Sequence, residues 1–233
     1  VAFYVAQCRE AATVLELGCG FGRVLQALAR PERRVLGIDR DGSMLTLARA
    51  RLRDAGLLDA VELRCGDMRR LALDETFDRI LVPHTGLYCL ETDADFMACL
   101  SGIAAHLRPG GRLIADAWAA DAFHEDQAQS GLDDDDEIRV DPVQLAGQTW
   151  DVFERSRWDR AAQRIEAQYR LVTPDRAATC RSAVVHHYRT AAQVVAALEA
   201  TGLRVRAVDG GFAGELYDDD ADTMVLIAER ACE

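Results

Sequence analysis

The chain has 233 residues and 27 Lys and Arg against 39 Asp and Glu, for a formal net charge of −12 and a pI near 4.9. That surplus of acid lacks the basic face that nucleic acid or an anionic membrane demands, so neither is expected as a partner. With 49% hydrophobic and 28% charged residues, the composition is that of a globular domain with room for a sizeable insertion, which excludes disordered and fibrous classes.

No stretch approaches the ~18 uninterrupted apolar residues of a membrane span, and the opening VAFYVAQCRE lacks the parts of a signal peptide. A cytoplasmic protein is expected. Seven cysteines include no C-x-x-C pair and stand near no histidine at zinc-ligand spacing. They read as reduced, mostly buried thiols, with no metal site expected.

From residue 13 to 118 the hydrophobic period switches repeatedly between strand and helix. Apolar, β-branched runs at Thr13 to Leu17, Arg34 to Ile38, Ala60 to Arg64, Phe77 to Val82 and Arg112 to Ala117 predict five strands. Helical windows lie between them at Arg23 to Ala29, Ser43 to Asp54 and Asp93 to Leu107. Pro109-Gly110-Gly111 stops the last helix. Such alternation specifies parallel βαβ units in a doubly wound α/β sheet covered on both faces.

Beyond Ala119 the pattern changes. Residues 119 to about 141, including the acidic run 133 to 137, show no period and predict a loop or lid. Gln148 to Trp158 and Arg164 to Val172 alternate around a polar turn and predict an antiparallel hairpin, with Cys180 to Arg189 as a third strand. Thr190-x-x-Gln193 has capping-box spacing and opens a helix to Ala200, ended at Gly202. Leu203 to Val208 and Thr223 to Glu229 supply two closing strands. The expectation is a Rossmann-like, mostly parallel seven-stranded sheet formed by 1–118 and 190–233, with 119–189 an antiparallel β insertion after strand five.

The most informative segment is Glu16-Leu17-Gly18-Cys19-Gly20-Phe21-Gly22-Arg23. A buried strand running through three glycines into a helix makes a tight turn where a ligand meets bare backbone and free N–H groups. A dinucleotide fingerprint, G-x-G-x-x-G, would require its third glycine where Arg23 stands, which disfavours a nicotinamide enzyme. Seventeen residues after Gly22, Asp39 ends the second strand, where a carboxylate can accept bonds from both hydroxyls of a ribose.

The spacing Glu16-x-Gly18-x-Gly20-x-Gly22 resembles the first motif of class I S-adenosylmethionine-dependent methyltransferases. Gly37-Ile38-Asp39, Cys65-Gly66-Asp67-Met68, Val82-Pro83-His84-Thr85 and Leu107-Arg108-Pro109-Gly110-Gly111 follow in the family's order. The resemblance implies S-adenosylmethionine as cofactor, held by Glu16, Gly18, Cys19, Gly20, Gly22 and Arg23 at the glycine loop. Asp39, Arg40 and Met44 follow at the ribose, Asp67 and Met68 at the adenine, and Pro83 and His84 at the methionine end. It implies methyl transfer to an N or O atom of a small molecule, with His84, Tyr88, His186 and His187 as candidates for catalytic roles. His186 and His187, adjacent on a strand, should face opposite ways.

The insertion, together with Gly66-Asp67-Met68-Arg69, Gly86-Leu87-Tyr88 and His187-Tyr188-Arg189-Thr190, resembles the small-molecule branch that includes amino-sugar and glycine or sarcosine N-methyltransferases. In that branch the insertion covers the acceptor and can contribute to dimers. The resemblance therefore implies that 119–189 covers the acceptor site and leaves a homodimer through it an open expectation. Trp118, Trp150 and Trp158 are expected either to line the acceptor pocket or to form the core of the hairpin. The branch carries a longer N-terminal segment with tyrosines that closes over the cofactor; the twelve residues before Thr13 make Tyr4 its expected remnant. A non-catalytic protein that binds the cofactor as a sensor or scaffold is the alternative.

Overall fold

The structure, a computed structural model, describes residues 1–125, 137–145 and 147–232. It divides into two compact units, one formed by Val1–Ala119 with Thr190–Glu233 and the other by Ala120–Arg189. In the first, β1 (Thr13–Leu17), β2 (Arg34–Asp39), β3 (Glu62–Cys65), β4 (Phe77–Val82) and β5 (Leu107–Trp118) join β10 (Leu203–Asp209) and β11 (Thr223–Arg230). The sheet order is β10-β11-β5-β4-β1-β2-β3, with the first five strands parallel and β11 antiparallel to both of its neighbours. This is the seven-stranded, mostly parallel α/β sheet expected from the alternation of periods.

Six helices in all accompany the strands of the described residues. α1 (Ala2–Gln7), α2 (Arg23–Leu28) and α3 (Gly42–Asp54) pack together, while α4 (Asp93–His106) and α6 (Ala191–Ala200) contact each other and β5 and β10 respectively. Their ends are written locally. The Asp41 carboxylate accepts from Ser43 N–H at the start of α3, and Thr92 Oγ1 does the same for Asp95 in α4. The predicted capping box at α6 is complete, with Thr190 and Gln193 bonding each other's backbone. Val14, Val35, Leu81 and Ile114 of the sheet meet Tyr4, Val24, Leu25, Leu45 and Leu52 of the first helix layer in one core.

The second unit is a four-stranded antiparallel sheet in chain order: β6 (Ile138–Leu145), β7 (Gln148–Asp159), β8 (Arg164–Val172) and β9 (Thr179–His187). The hairpin and third strand are where the alternation put them, but β6 and the short helix α5 (Asp121–Glu125) correct the expectation of a structureless stretch. Asp141-Pro142 interrupts the alternation of β6, and its pairing with β7 shifts register between Val140 and Val143. The acidic residues 133–136, with the stretch 126–136 of the expected lid, lie outside the described residues. His186 pairs across from Ile165 and His187 from Arg164, so the two side chains occupy opposite faces.

Three smaller corrections concern the first unit and the cysteines. Leu58–Ala60 is a 3₁₀ turn, so β3 begins at Glu62 rather than Ala60. β5 begins at Leu107, before Pro109-Gly110-Gly111, and the three residues form an irregularity within the strand where its register against β4 shifts. The cysteines are all free, but only Cys8, Cys19 and Cys99 are buried, Cys89 is half-buried, and Cys65, Cys180 and Cys232 are exposed. Among the described residues no helix is long and apolar enough to cross a membrane.

Gly111 is required by close approach. A Cβ there would lie 2.8 Å from the Arg108 carbonyl oxygen and 2.9 Å from that of Phe77, both backbone atoms that cannot swing away. Gly111→Ala should cost roughly 1–3 kcal/mol, read as a lower urea midpoint at unchanged slope. Gly42→Ala, on α3 with nothing within 4 Å of its Cβ position, should hold or gain stability by up to ~1 kcal/mol. Equal effects of the two substitutions would contradict the packing described for Gly111.

Candidate functional site

The glycine turn from β1 to α2 puts Gly18, Gly20 and Gly22 at φ of +66°, +51° and +77°. At Gly18 and Gly20 nothing stands within 4 Å of where a Cβ would be. These two glycines are needed for their backbone conformation and leave bare backbone on the wall of a cavity. Gly22 is the N-cap of α2 and has no side chain to offer the helix. Glu16 supplies the acceptor from β1: its buried carboxyl takes the Leu25 N–H in the first turn of α2.

Burial pushes the Glu16 carboxyl well above the usual carboxylate range, opposed by Arg23 and the Leu25 N–H. Its Oε2 is buried and has no hydrogen-bond partner. A lone acceptor oxygen at a cavity wall is a position for a ligand donor. On the other side of the turn, Asp39 accepts from Gly20 N–H at 2.7 Å through Oδ2 and from Asp41 N–H at 2.8 Å through Oδ1. Two carboxyl groups therefore bracket the loop, and Asp39 retains a second lone pair on each oxygen.

The cavity at the carboxyl ends of β1, β2 and β4 has a volume of about 660 Å³, within the ~300–1,000 Å³ of pockets that enclose cofactor-sized ligands. Its wall contains Glu16, Gly18, Cys19, Gly20, Arg23, Asp39, Arg40, Met44, Asp67, Met68, Pro83 and His84. The structure thus brings together every residue assigned to the cofactor except Gly22, which lies just behind the wall as the helix cap. Other parts of the wall had been given no role: Phe21, Val24, Arg69 and the segment Cys89-Leu90-Glu91. Only the neighbouring Asp67 could have flagged Arg69 in the sequence, as a charge pair two residues apart.

Arg69 grips Asp67. Its Nε lies 3.0 and 2.9 Å from the two carboxylate oxygens, its Nη2 2.6 Å from Oδ2, and its backbone N–H adds a fourth bond. Nη1 reaches Asp95 on α4 at 3.4 Å. The Arg69 guanidinium pulls the Asp67 carboxyl down to about 2. Asp67 is ionised throughout the physiological range and most of its oxygen capacity is already committed.

Strand β4 leads into Pro83, which has no N–H for the sheet ladder, and then into two consecutive left-handed residues, His84 at φ +54° and Thr85 at +61°. Such non-glycine conformations cost ~1–3 kcal/mol each and persist where surrounding bonds determine them. His84 N–H donates to Asp116 Oδ1 at 3.0 Å, and Thr85 N–H to the Asp116 carbonyl at 2.9 Å. The His84 Nδ1 lies 3.4 Å from Arg23 Nη2. Burial and then the Arg23 charge lower the His84 pKa from its ordinary value, against the pull of Asp116. Because guanidinium only donates, this contact pairs with a neutral ring whose proton is on Nε2.

The other candidates sit elsewhere. Tyr88 is fully buried, not on the cavity wall; its hydroxyl donates to the Trp118 carbonyl at 3.3 Å, and its ring meets Trp118 edge-on. His186 and His187 belong to β9 of the second unit, and burial lowers the His186 pKa. In that unit Trp158 packs against Phe123, which also meets Tyr188 and the Arg160 guanidinium. Tyr4 is buried on α1, and its hydroxyl donates to Asp116 Oδ1. His106 is tied to Gly102 and Leu73. Among the described residues no group of three or more His, Cys, Asp or Glu side chains could hold a metal ion.

Comparison with known proteins gives this geometry a context. Residues 14–111 match a family model described as a methyltransferase domain. The cypemycin N-terminal methyltransferase of a Streptomyces species is 31% identical over 220 residues, 94% of this chain and 83% of that protein. The dTDP-3-amino-3,4,6-trideoxy-alpha-D-glucopyranose N,N-dimethyltransferase of Streptomyces venezuelae is 30% identical over 208 residues, 88% of this chain and 81% of its own length. Among solved structures, the S-adenosylmethionine-bound amino pentose methyltransferase of Micromonospora echinaspora, involved in calicheamicin biosynthesis, superposes with a TM-score of 0.72 at 27% identity. It covers 97% of this chain and 86% of that one.

The Asp67–Arg69 pair has a measurable signature. Because the folded value is depressed, the stability it contributes is present above the unfolded value of ~3.9 and is lost as pH falls towards about 2. In Arg69→Met the Asp67 carboxyl carbon, followed by NMR, should titrate closer to ~3.9. A titration still centred near that of the wild type would contradict the pairing.

Proposed function

We infer the acceptor and the residue roles from one premise: this chain belongs to the S-adenosylmethionine-dependent methyltransferases. We propose that it transfers the methyl group to an amine nitrogen of a small molecule in the cytoplasm. One observation carries this choice of atom. Three relatives that align with most of the chain, through both of its units, are each named for methylation of nitrogen, one as an N-terminal methyltransferase and two as amino-sugar N,N-dimethyltransferases. The net charge of −12 agrees with an acceptor other than nucleic acid.

The cavity fits this cofactor on its own terms. Gly18 and Gly20 present bare backbone and Glu16 an unpartnered buried oxygen, which suit the methionine end and its ammonium. Cys19, Gly22 and Arg23 complete that loop. Asp39, with a free lone pair on each oxygen, suits the ribose hydroxyls, with Arg40 and Met44 beside it. Asp67 and Met68 suit the adenine. Arg69 leaves Asp67 as a fixed negative group with little spare capacity, so the Met68 backbone and side chain carry more of that contact.

S-adenosylmethionine supplies, when bound, a methyl group already activated by the sulfonium charge, so the protein's task is largely alignment. An amine attacks only through its lone pair, and its surplus proton must leave. His84, standing beside Pro83 on the cavity wall and held neutral, is assigned to that proton, which it takes at Nδ1 in exchange for the Arg23 contact. Tyr88, buried against Trp118, is assigned packing and no catalytic role. We propose that residues 120–189 cover the acceptor, with one of His186 and His187 turned towards it, and that they also form a homodimer.

The test is S-adenosylhomocysteine release across primary amines, amino sugars, peptides with a free N-terminus, phenols and carboxylic acids. Turnover confined to amines is expected; turnover on phenols alone would overturn the choice of atom. His84→Gln should lower kcat by roughly 100-fold with little change in cofactor affinity. The wild-type kcat profile should carry an ionisation below the ordinary histidine value of ~6.5 that this variant loses. Equal losses in kcat and cofactor affinity would move His84 to the cofactor. Asp39→Ala should weaken cofactor binding by ~1.5–3 kcal/mol in calorimetry, and an unchanged affinity would overturn the ribose assignment.

A further inference from the structure

We propose that Asp116 is the positioning residue of the site: it holds His84 at the cavity wall through the backbone, and Tyr4 holds Asp116. The inference rests on the reading of His84 as an active-site group.

Asp116 stands out first in the sequence of β5. It is the acid within Leu113-Ile114-Ala115-Asp116-Ala117, a run that is otherwise apolar and buried, and it is itself only 7% exposed. A carboxylate in such surroundings must be offset by hydrogen bonds. Oδ1 receives two, from the Tyr4 hydroxyl 112 residues away and from the His84 N–H. Its carbonyl oxygen receives a third, from the Thr85 N–H.

The reason these bonds fall there is the ladder between β4 and β5. It runs in register to Val82 opposite Ala115. Pro83 follows and has no N–H to continue it. The next two donors of the chain, at His84 and Thr85, both turn to Asp116 by entering the left-handed region. No glycine relieves that conformation, so the two bonds to one residue determine it. Loss of the carboxylate frees the His84 N–H and with it the direction in which the imidazole leaves the backbone. Tyr4, buried on α1, adds the bond that fixes the carboxylate rotamer.

The experiment compares Asp116→Ala, Asp116→Asn and Tyr4→Phe in the full chain with the wild type. Asn keeps an oxygen that accepts the His84 N–H, and Ala does not. Asp116→Ala should lower kcat by about 10–100-fold, the scale of a misplaced group, with cofactor affinity within about threefold. Asn should restore most of the rate and Tyr4→Phe should fall between. Both Asp116 variants lose the charge that raises the His84 pKa, so the comparison is between them. The imidazole, followed by NMR and freed from its burial and from Arg23 in Asp116→Ala, should titrate closer to ~6.5 there than in Asp116→Asn.

A purely structural role would lower the melting temperature without separating the titrations of the two variants. A His84 titration that coincides in folded Asp116→Ala and Asp116→Asn would overturn the proposal, whatever the turnover of His84→Gln, which tests the His84 reading separately. If Asp116→Ala does not fold, amide exchange in the wild type decides. Protection of the His84 and Thr85 amides by tenfold or more over an unstructured peptide is expected, and exchange at the free-peptide rate would overturn the proposal.

Discussion

The architecture of the site depends on a turn that L-amino acids with side chains rarely make. Three residues at positive φ within five positions reverse the chain between β1 and α2. Glycine permits that conformation without holding it, because its backbone freedom is lost on folding. Two carboxyl groups hold it instead: Glu16 from the strand below, capping α2 where Gly22 cannot, and Asp39 from the neighbouring strand, bonding Gly20 N–H. The spacing of an acid two residues before the first glycine and another at the end of β2 is therefore a folding requirement before it is a binding one.

The same logic, with different residues, operates at the end of β4. There the reversal uses two non-glycine residues in left-handed conformations, held by Asp116 from the adjacent β5. The first turn leaves bare backbone open to a ligand, and the second leaves an imidazole there. Both lie at the carboxyl ends of parallel strands, where an open α/β sheet parts to form a crevice. Arg23, from the first turn, meets His84, from the second, across that crevice.

Much of this was legible in the sequence, and what was not has physical causes. The parallel strands are β-branched and separated by helical periods, so their places along the chain could be read directly. The glycine loop, Asp39, Asp67 and Pro83-His84 could be placed at strand ends because the motif fixes them relative to a strand. β6 was hidden because Asp141-Pro142 breaks its alternation and its partner's register shifts to accommodate it. Arg69 and Cys89-Leu90-Glu91 reach the cavity through the path of loops, which spacing does not encode. Asp116 did leave a signal, an acid in an apolar strand, but its partners at Tyr4 and His84 are 112 and 32 residues away. Tyr88 was read from its place near a strand end, whereas the 3₁₀ turn at Gly86–Cys89 directs it into the core.

The central claim is that the doubly braced glycine turn, together with the ends of β2, β3 and β4, receives the cofactor. Titrating the isotopically labelled chain with S-adenosylhomocysteine and following its backbone amides by NMR tests this most directly. The largest shifts are predicted at Gly18 to Gly22, at Asp39 to Asp41 and at Gly66 to Arg69, saturating together with a single affinity. Binding whose shifts leave Gly18 to Gly22 unmoved, or no binding at all, would contradict the account.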